Sequence, residues 1–137
     1  MNAREFKDHC RKKFNFLIEH FGFHEESASI KSNPFEISFA SQMTRIVVQS
    51  INYGFGIDVR LCTKENSNDY SLGDLLAIRN PNFGFAAIQS SDTGEIQKRQ
   101  LEQAGQALQE YATDVLNGDF SIFSELEKRV QQRNKIN

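Results

Sequence analysis

Tryptophan is absent from the 137 residues, and cysteine occurs only twice, at Cys10 and Cys62. With twelve phenylalanines and three tyrosines, most aromatic packing must come from rings that carry no polar handle, and such rings belong inside. Two cysteines do not make a disulfide framework, and a domain of this length needs none, so a reducing cytoplasmic setting is expected. Long apolar runs are missing as well. No stretch approaches the about 18 consecutive apolar residues of a membrane span, and the charged start MNAREFKDHCRKK lacks the apolar core of an export signal. Charge of one sign is not in excess: the formal net charge is -2, and acidic and basic residues alternate along the chain. That argues against a surface dedicated to nucleic acid or to an anionic membrane. The mildly basic cluster Arg4, Lys7, Arg11, Lys12 and Lys13 is diluted by Glu5, Asp8 and Glu19 and reads as a solvated face.

What is present fits one soluble domain spanning residues 1–137. Hydrophobic residues make up 39%, too many for a disordered chain, and the length leaves no room for a second independent core. From Arg4 to Phe21, the residues Phe6, Cys10, Phe14, Leu17, Ile18 and Phe21 recur at spacings of three and four. This predicts one helix with one buried stripe, closed by Gly22 in the left-handed conformation. After the polar connector HEESASIKSNP the period falls to two. Phe35, Ile37 and Phe39 face one way, and two further runs, Met43 to Ile51 and Phe55 to Cys62, follow across the short connectors ASQ and NYG. Antiparallel neighbours are the expected outcome, with Phe55, Ile57, Val59 and Leu61 on the oily side and Glu36, Asp58 and Arg60 on the other.

The helical period then returns. Ser71, with Asp74 three residues on, resembles a capping box and predicts a short helix Leu72 to Arg79, stopped at Asn80 by Pro81. A long helix is predicted from Glu95 to Leu116, closed by Gly118. A last one runs from Asp119 to about Arg133, with Phe120, Phe123, Leu126 and Val130 on its stripe and a frayed tail. The class is therefore α+β: a three-stranded or slightly larger antiparallel meander with helices packed on one face, an N-terminal helix and a helical C-terminal half.

Candidate chemistry is thin. Gly54 and Gly56 lack a third glycine and open a strand rather than a helix, so a bulged hairpin explains them better than a phosphate loop. His9, His20 and His24 have spacings that could share a metal, but Gly22 breaks the helix between the last two. His9 and Cys10 are adjacent and point about 100° apart, a poor nucleophile pair; Cys62 alternates onto the polar side of the sheet. Asp58, Asp69, Asp74 and Asp92 could converge on an acid/base pair, although nothing in their spacing requires it. No catalytic residue, cofactor or metal site is assigned, and the chain is not read as an enzyme. Two surfaces are candidates for a partner: the polar sheet face with Arg45, Asp58 and Arg60, and the aromatic pair Phe83 and Phe85 in NPNFGFAAI. The pair could equally serve as a plug that seals the sheet edge.

The segment YSLGDLLAIR, placed after a meander and before a long C-terminal helix, resembles the layout of small bacterial toxin-immunity-type α+β proteins. That resemblance implies immunity-type inhibition of a partner protein, a toxin or an effector. A helix followed by three strands is also similar to the acidic chaperones of type III secretion, although those continue with two more strands where Glu95 to Leu116 here reads as helix. The expectation is a non-catalytic protein-binding module, with homodimerisation through the sheet or the Phe83 region as a variant. The alternative is a small-ligand binder or enzyme with a pocket between sheet and helices, drawing on Tyr53, Arg60 or Tyr70.

Overall fold

The computed structural model describes residues 1–27, 33–65, 68–84 and 92–136. The chain opens with α1 (Ala3–Lys13) and α2 (Asn15–Phe21), then forms strands β1 (His24–Glu25), β2 (Glu36–Ala40), β3 (Thr44–Ile51), β4 (Gly56–Thr63) and β5 (Asp69–Ser71). Helices α3 (Leu72–Arg79), α4 (Thr93–Tyr111), α5 (Thr113–Leu116) and α6 (Phe123–Ile136) complete it. The strands pair in sequence order as a five-stranded antiparallel meander. The α+β class and its arrangement thus follow the pattern of the sequence, with two short strands added at the edges.

Period-two alternation builds the sheet. Ile37, Val48 and Val59 lie side by side in register, as do Phe39, Ile46, Leu61 and Tyr70. All of them enter the core, and every strand residue in the core cluster belongs to this one face. Against it the helices lay Phe6, Phe14 and Leu17, then Leu75 and Leu76, then Leu101 and Leu108, then Leu126. Each such apolar side chain contributes about 1.5–3 kcal/mol by leaving water, so this layer dominates stability.

The expected first helix is broken. At Phe14 the backbone leaves helical geometry (φ -109°, ψ 13°), which rotates α2 relative to α1. Phe14 and Phe16, about 200° apart on a continuous helix, are thereby both buried, while Ile18, expected on the stripe, is 43% exposed. Gly22 then takes the left-handed conformation (φ 72°) as expected, and Phe23 folds back with its N–H on the Leu17 carbonyl. α4 passes close to the same break. An added Cβ at Gly105 would stand 2.8 Å from the Lys13 carbonyl oxygen, so only glycine fits that crossing.

The long helix is also interrupted, at Ala112, with α5 continuing after it. Arg79 stabilises the break by donating to the Tyr111 carbonyl and forming a two-pronged pair with Asp114 at 2.6–2.7 Å. Asp119 is not the helix cap expected of it: it accepts from the Ser121 N–H and hydroxyl in a local turn, and α6 starts only at Phe123. The tail expected to fray is helical to Ile136. Ser71 caps α3 as expected, its Oγ accepting from the Asp74 N–H at 3.0 Å.

Candidate functional site

The second face of the sheet contributes nothing to the core cluster. Its cross-strand rows follow from the register: Gln49 opposite Asp58, Val47 between Ser38 and Arg60, and Arg45 between Ala40 and Cys62. Arg45, Asp58 and Arg60 therefore share one face, as their alternation requires. Each is partly exposed. Arg45 is held by Glu26 through two bonds of 2.6 and 3.1 Å, and Arg60 is held by Asp69. The guanidinium of Arg45 keeps the Glu26 carboxyl below the usual carboxylate range, against the opposing effect of burial. Two oriented arginines thus flank Val47 on a rigid antiparallel frame.

Phe83 lies elsewhere, in the helical layer. Its ring meets Tyr111 edge-on at 6.0 Å and packs partly buried against the core. The two surfaces proposed from sequence are thus separate, and Phe85 lies outside the described residues.

The cysteines are poor nucleophiles. Cys10 is buried on the α1 stripe and burial pushes its thiol up to about 12; Cys62, although on the polar side of the sheet, is covered by its neighbours and pushed up to about 11 by burial, with Asp69 adding to it. Thiolates, the reactive form, are scarce at such values. Among the described residues no group of three or more His, Cys, Asp or Glu side chains could hold a metal ion. Of the aspartates singled out from sequence, Asp69 and Asp74 line one cavity, together with Tyr70 and Glu127, and Asp74 is paired there with arginines. Burial would raise its pKa, yet bonds from Arg133, Arg129 and Ser71 outweigh that and hold it low, and both arginines come from α6. Beside it Tyr70 donates to Glu127 at 2.6 Å, so the Asp74 and Tyr70 contacts together fasten α6 to β5 and α3.

The hairpin between β3 and β4 forms across the NYG connector as expected, but the sequence signal missed the shape of its turn. Phe55, expected on the oily face, sits in the turn and is 54% exposed, and Tyr53 is fully exposed. Both Asn52 (φ 53°) and Tyr53 (φ 55°) adopt the left-handed conformation, as does Gly54 (φ 91°). Beside this turn, at the start of α4, lies a cavity of about 420 Å³ that includes Phe35, Ser50, Tyr53 and the buried Gln97. The burial of Gln97 on α4 left no signal in the sequence, because a polar residue there gives no pattern to read. No helix among the described residues is long and apolar enough to cross a membrane. No protein-family model, curated protein or solved structure matches the chain.

Proposed function

We propose that the chain is a non-catalytic protein-binding module that presents the open face of its sheet to a protein partner, with immunity-type inhibition of a toxin or effector as its most specific form. The observation that carries this reading is the sheet face excluded from the core, on which Arg45, Val47, Asp58 and Arg60 stand in fixed cross-strand register. A frame of this kind does not need to order itself on binding. Its arginines are already oriented by Glu26 and Asp69, which lowers the entropy lost when a partner docks. Mixed charges around an apolar centre favour one partner and repel others, giving specificity and a fast approach.

The test is capture of a partner by the intact protein, its identification, and titration of the purified partner against wild type and the triple variant Arg45→Glu, Asp58→Lys, Arg60→Glu. Loss of affinity by about 100-fold or more is expected. Equal affinity for the two proteins would refute the sheet face as the binding surface. Light scattering of both proteins checks the homodimer form: a wild-type dimer that the variant converts to monomer would make the partner a second copy.

A further inference from the structure

The cavity beside the β3–β4 hairpin has a lining whose hydrogen-bonding polarity is already settled. Gln97, 3% exposed, donates from Nε2 to the Gly56 carbonyl at 3.1 Å and to Ser50 Oγ at 2.6 Å. A carbonyl can only accept, so the amide nitrogen must face it, and the carboxamide has only Oε1, an acceptor, to offer a ligand. Ser50, accepting from Gln97, keeps its O–H to donate. Asn33 is fixed by the same logic: the Phe35 N–H can only donate, so Asn33 Oδ1 accepts it at 2.9 Å and the NH2 remains as a donor. Among the described residues that line the cavity, none has a charged side chain, and the one formal charge is the α-ammonium of Met1. Phe35, half-buried, forms one apolar wall, and Tyr53 stands at the same cavity with its ring fully in water.

Tyr53 is the telling residue. A left-handed backbone costs a non-glycine residue about 1–2 kcal/mol, and the exposed ring recovers nothing from the fold. We propose that this cavity binds a neutral saccharide, with the sugar hydroxyls bridging Gln97 Oε1 and the donors of Ser50 and Asn33, and the sugar's C–H face resting on Tyr53. A hydroxyl both donates and accepts, so neighbouring hydroxyls on one ring match an acceptor set beside donors. A phosphate dianion would find no cationic side chain in this lining, only the single charge of the Met1 α-ammonium. The volume lies within the range of small-ligand sites, which combine apolar walls with a few placed polar groups.

The experiment titrates the intact protein with glucose, N-acetylglucosamine and maltose at concentrations up to about 10 mM, following the Gln97 side-chain NH2 and the Tyr53 amide by two-dimensional NMR. Saturable shifts at both positions with at least one sugar are expected. Tyr53→Ala should weaken binding about tenfold or more while leaving the thermal midpoint unchanged, because the ring is fully in water and alanine carries the same left-handed strain. Gln97→Met should abolish binding if folded, and the Tyr53 variant decides the matter if it is not. No shift with any of the three sugars, binding unaffected by Tyr53→Ala, or shifts with uridine or adenosine in place of the sugars would each overturn the proposal. The sheet-face variant should bind sugar like wild type, so the two readings fail independently.

Discussion

Replacing Gly105 by alanine isolates the contact on which the packing of α1 against α4 depends. In an unconstrained helix the change is favourable, because alanine exceeds glycine in helix propensity by about 0.8–1.0 kcal/mol. At Gly105 the new methyl would stand 2.8 Å from the Lys13 carbonyl oxygen and 3.7 Å from the Phe16 ring. The obstructing atom is backbone, at the junction of α1 and α2, and cannot swing aside as a side-chain tip would. One helix must move, and overpacking of this kind costs about 1–3 kcal/mol, more than the propensity gained. The expected net effect is a loss of about 1 kcal/mol. Gly73→Ala supplies the opposite sign in the same fold. Gly73 is exposed near the start of α3, and the nearest atom to an added Cβ is Ser71 Oγ at 3.8 Å, so a gain of about 0.5–1 kcal/mol is expected. Urea denaturation of the two variants beside wild type measures both shifts as midpoints at unchanged slope. A Gly105→Ala protein as stable as wild type, or more so, would refute the close approach of α4 to the Lys13 carbonyl.

Asp74→Asn should destabilise by about 1–2 kcal/mol, less than a fully buried pair would lose because Arg129 and Arg133 are half in water, and amide exchange should accelerate first in α6; uniform acceleration across the molecule would count against a local clamp. Acid should weaken the fold through Glu26, Asp74 and Asp114, all held below their ordinary values. Arginine bonds are the leading cause for Glu26 and Asp114, while at Asp74 such bonds overcome the larger, opposing effect of burial. Their contribution is complete above the unfolded values near pH 4 and is lost as the pH falls through the lower folded values, so a urea midpoint that stays level down to about pH 3 would contradict the pairing. At pH 8 roughly a thousandth of Cys62 is thiolate, and less of Cys10. Ellman's reagent should therefore label the native protein about 100-fold more slowly than the unfolded chain; rapid native labelling of Cys62 would show its cover to be incomplete.

Alternation with period two was enough to place the three central strands and to assign Ile37, Val59 and Leu61 to the core, because a one-residue slip would expose the whole set. Ser71, Gly22 and Pro81 marked three helix ends through local chemistry alone. The breaks at Phe14 and Ala112 had no such local mark. They arise from tertiary demands: the burial of both Phe14 and Phe16, and the capture of the Tyr111 carbonyl by Arg79, 32 residues away. Strands β1 and β5, of two and three residues, are too short for a period to register. The shared face of Arg45, Asp58 and Arg60 was legible from alternation, but their partners Glu26 and Asp69 sit in stretches that read as connector. The cavity beside Tyr53 depends on a turn joined to the start of α4, a meeting of segments about 40 residues apart that no local pattern encodes.

The abbreviated outer strands limit how this molecule can join another. Lateral growth by strand addition needs a length of unpaired backbone, and rims of two and three residues offer little of it. An associate arriving at the broad side of the sheet meets side chains instead of peptide groups. Those side chains stand outside the packed core, so they can be exchanged while the scaffold beneath stays as it is.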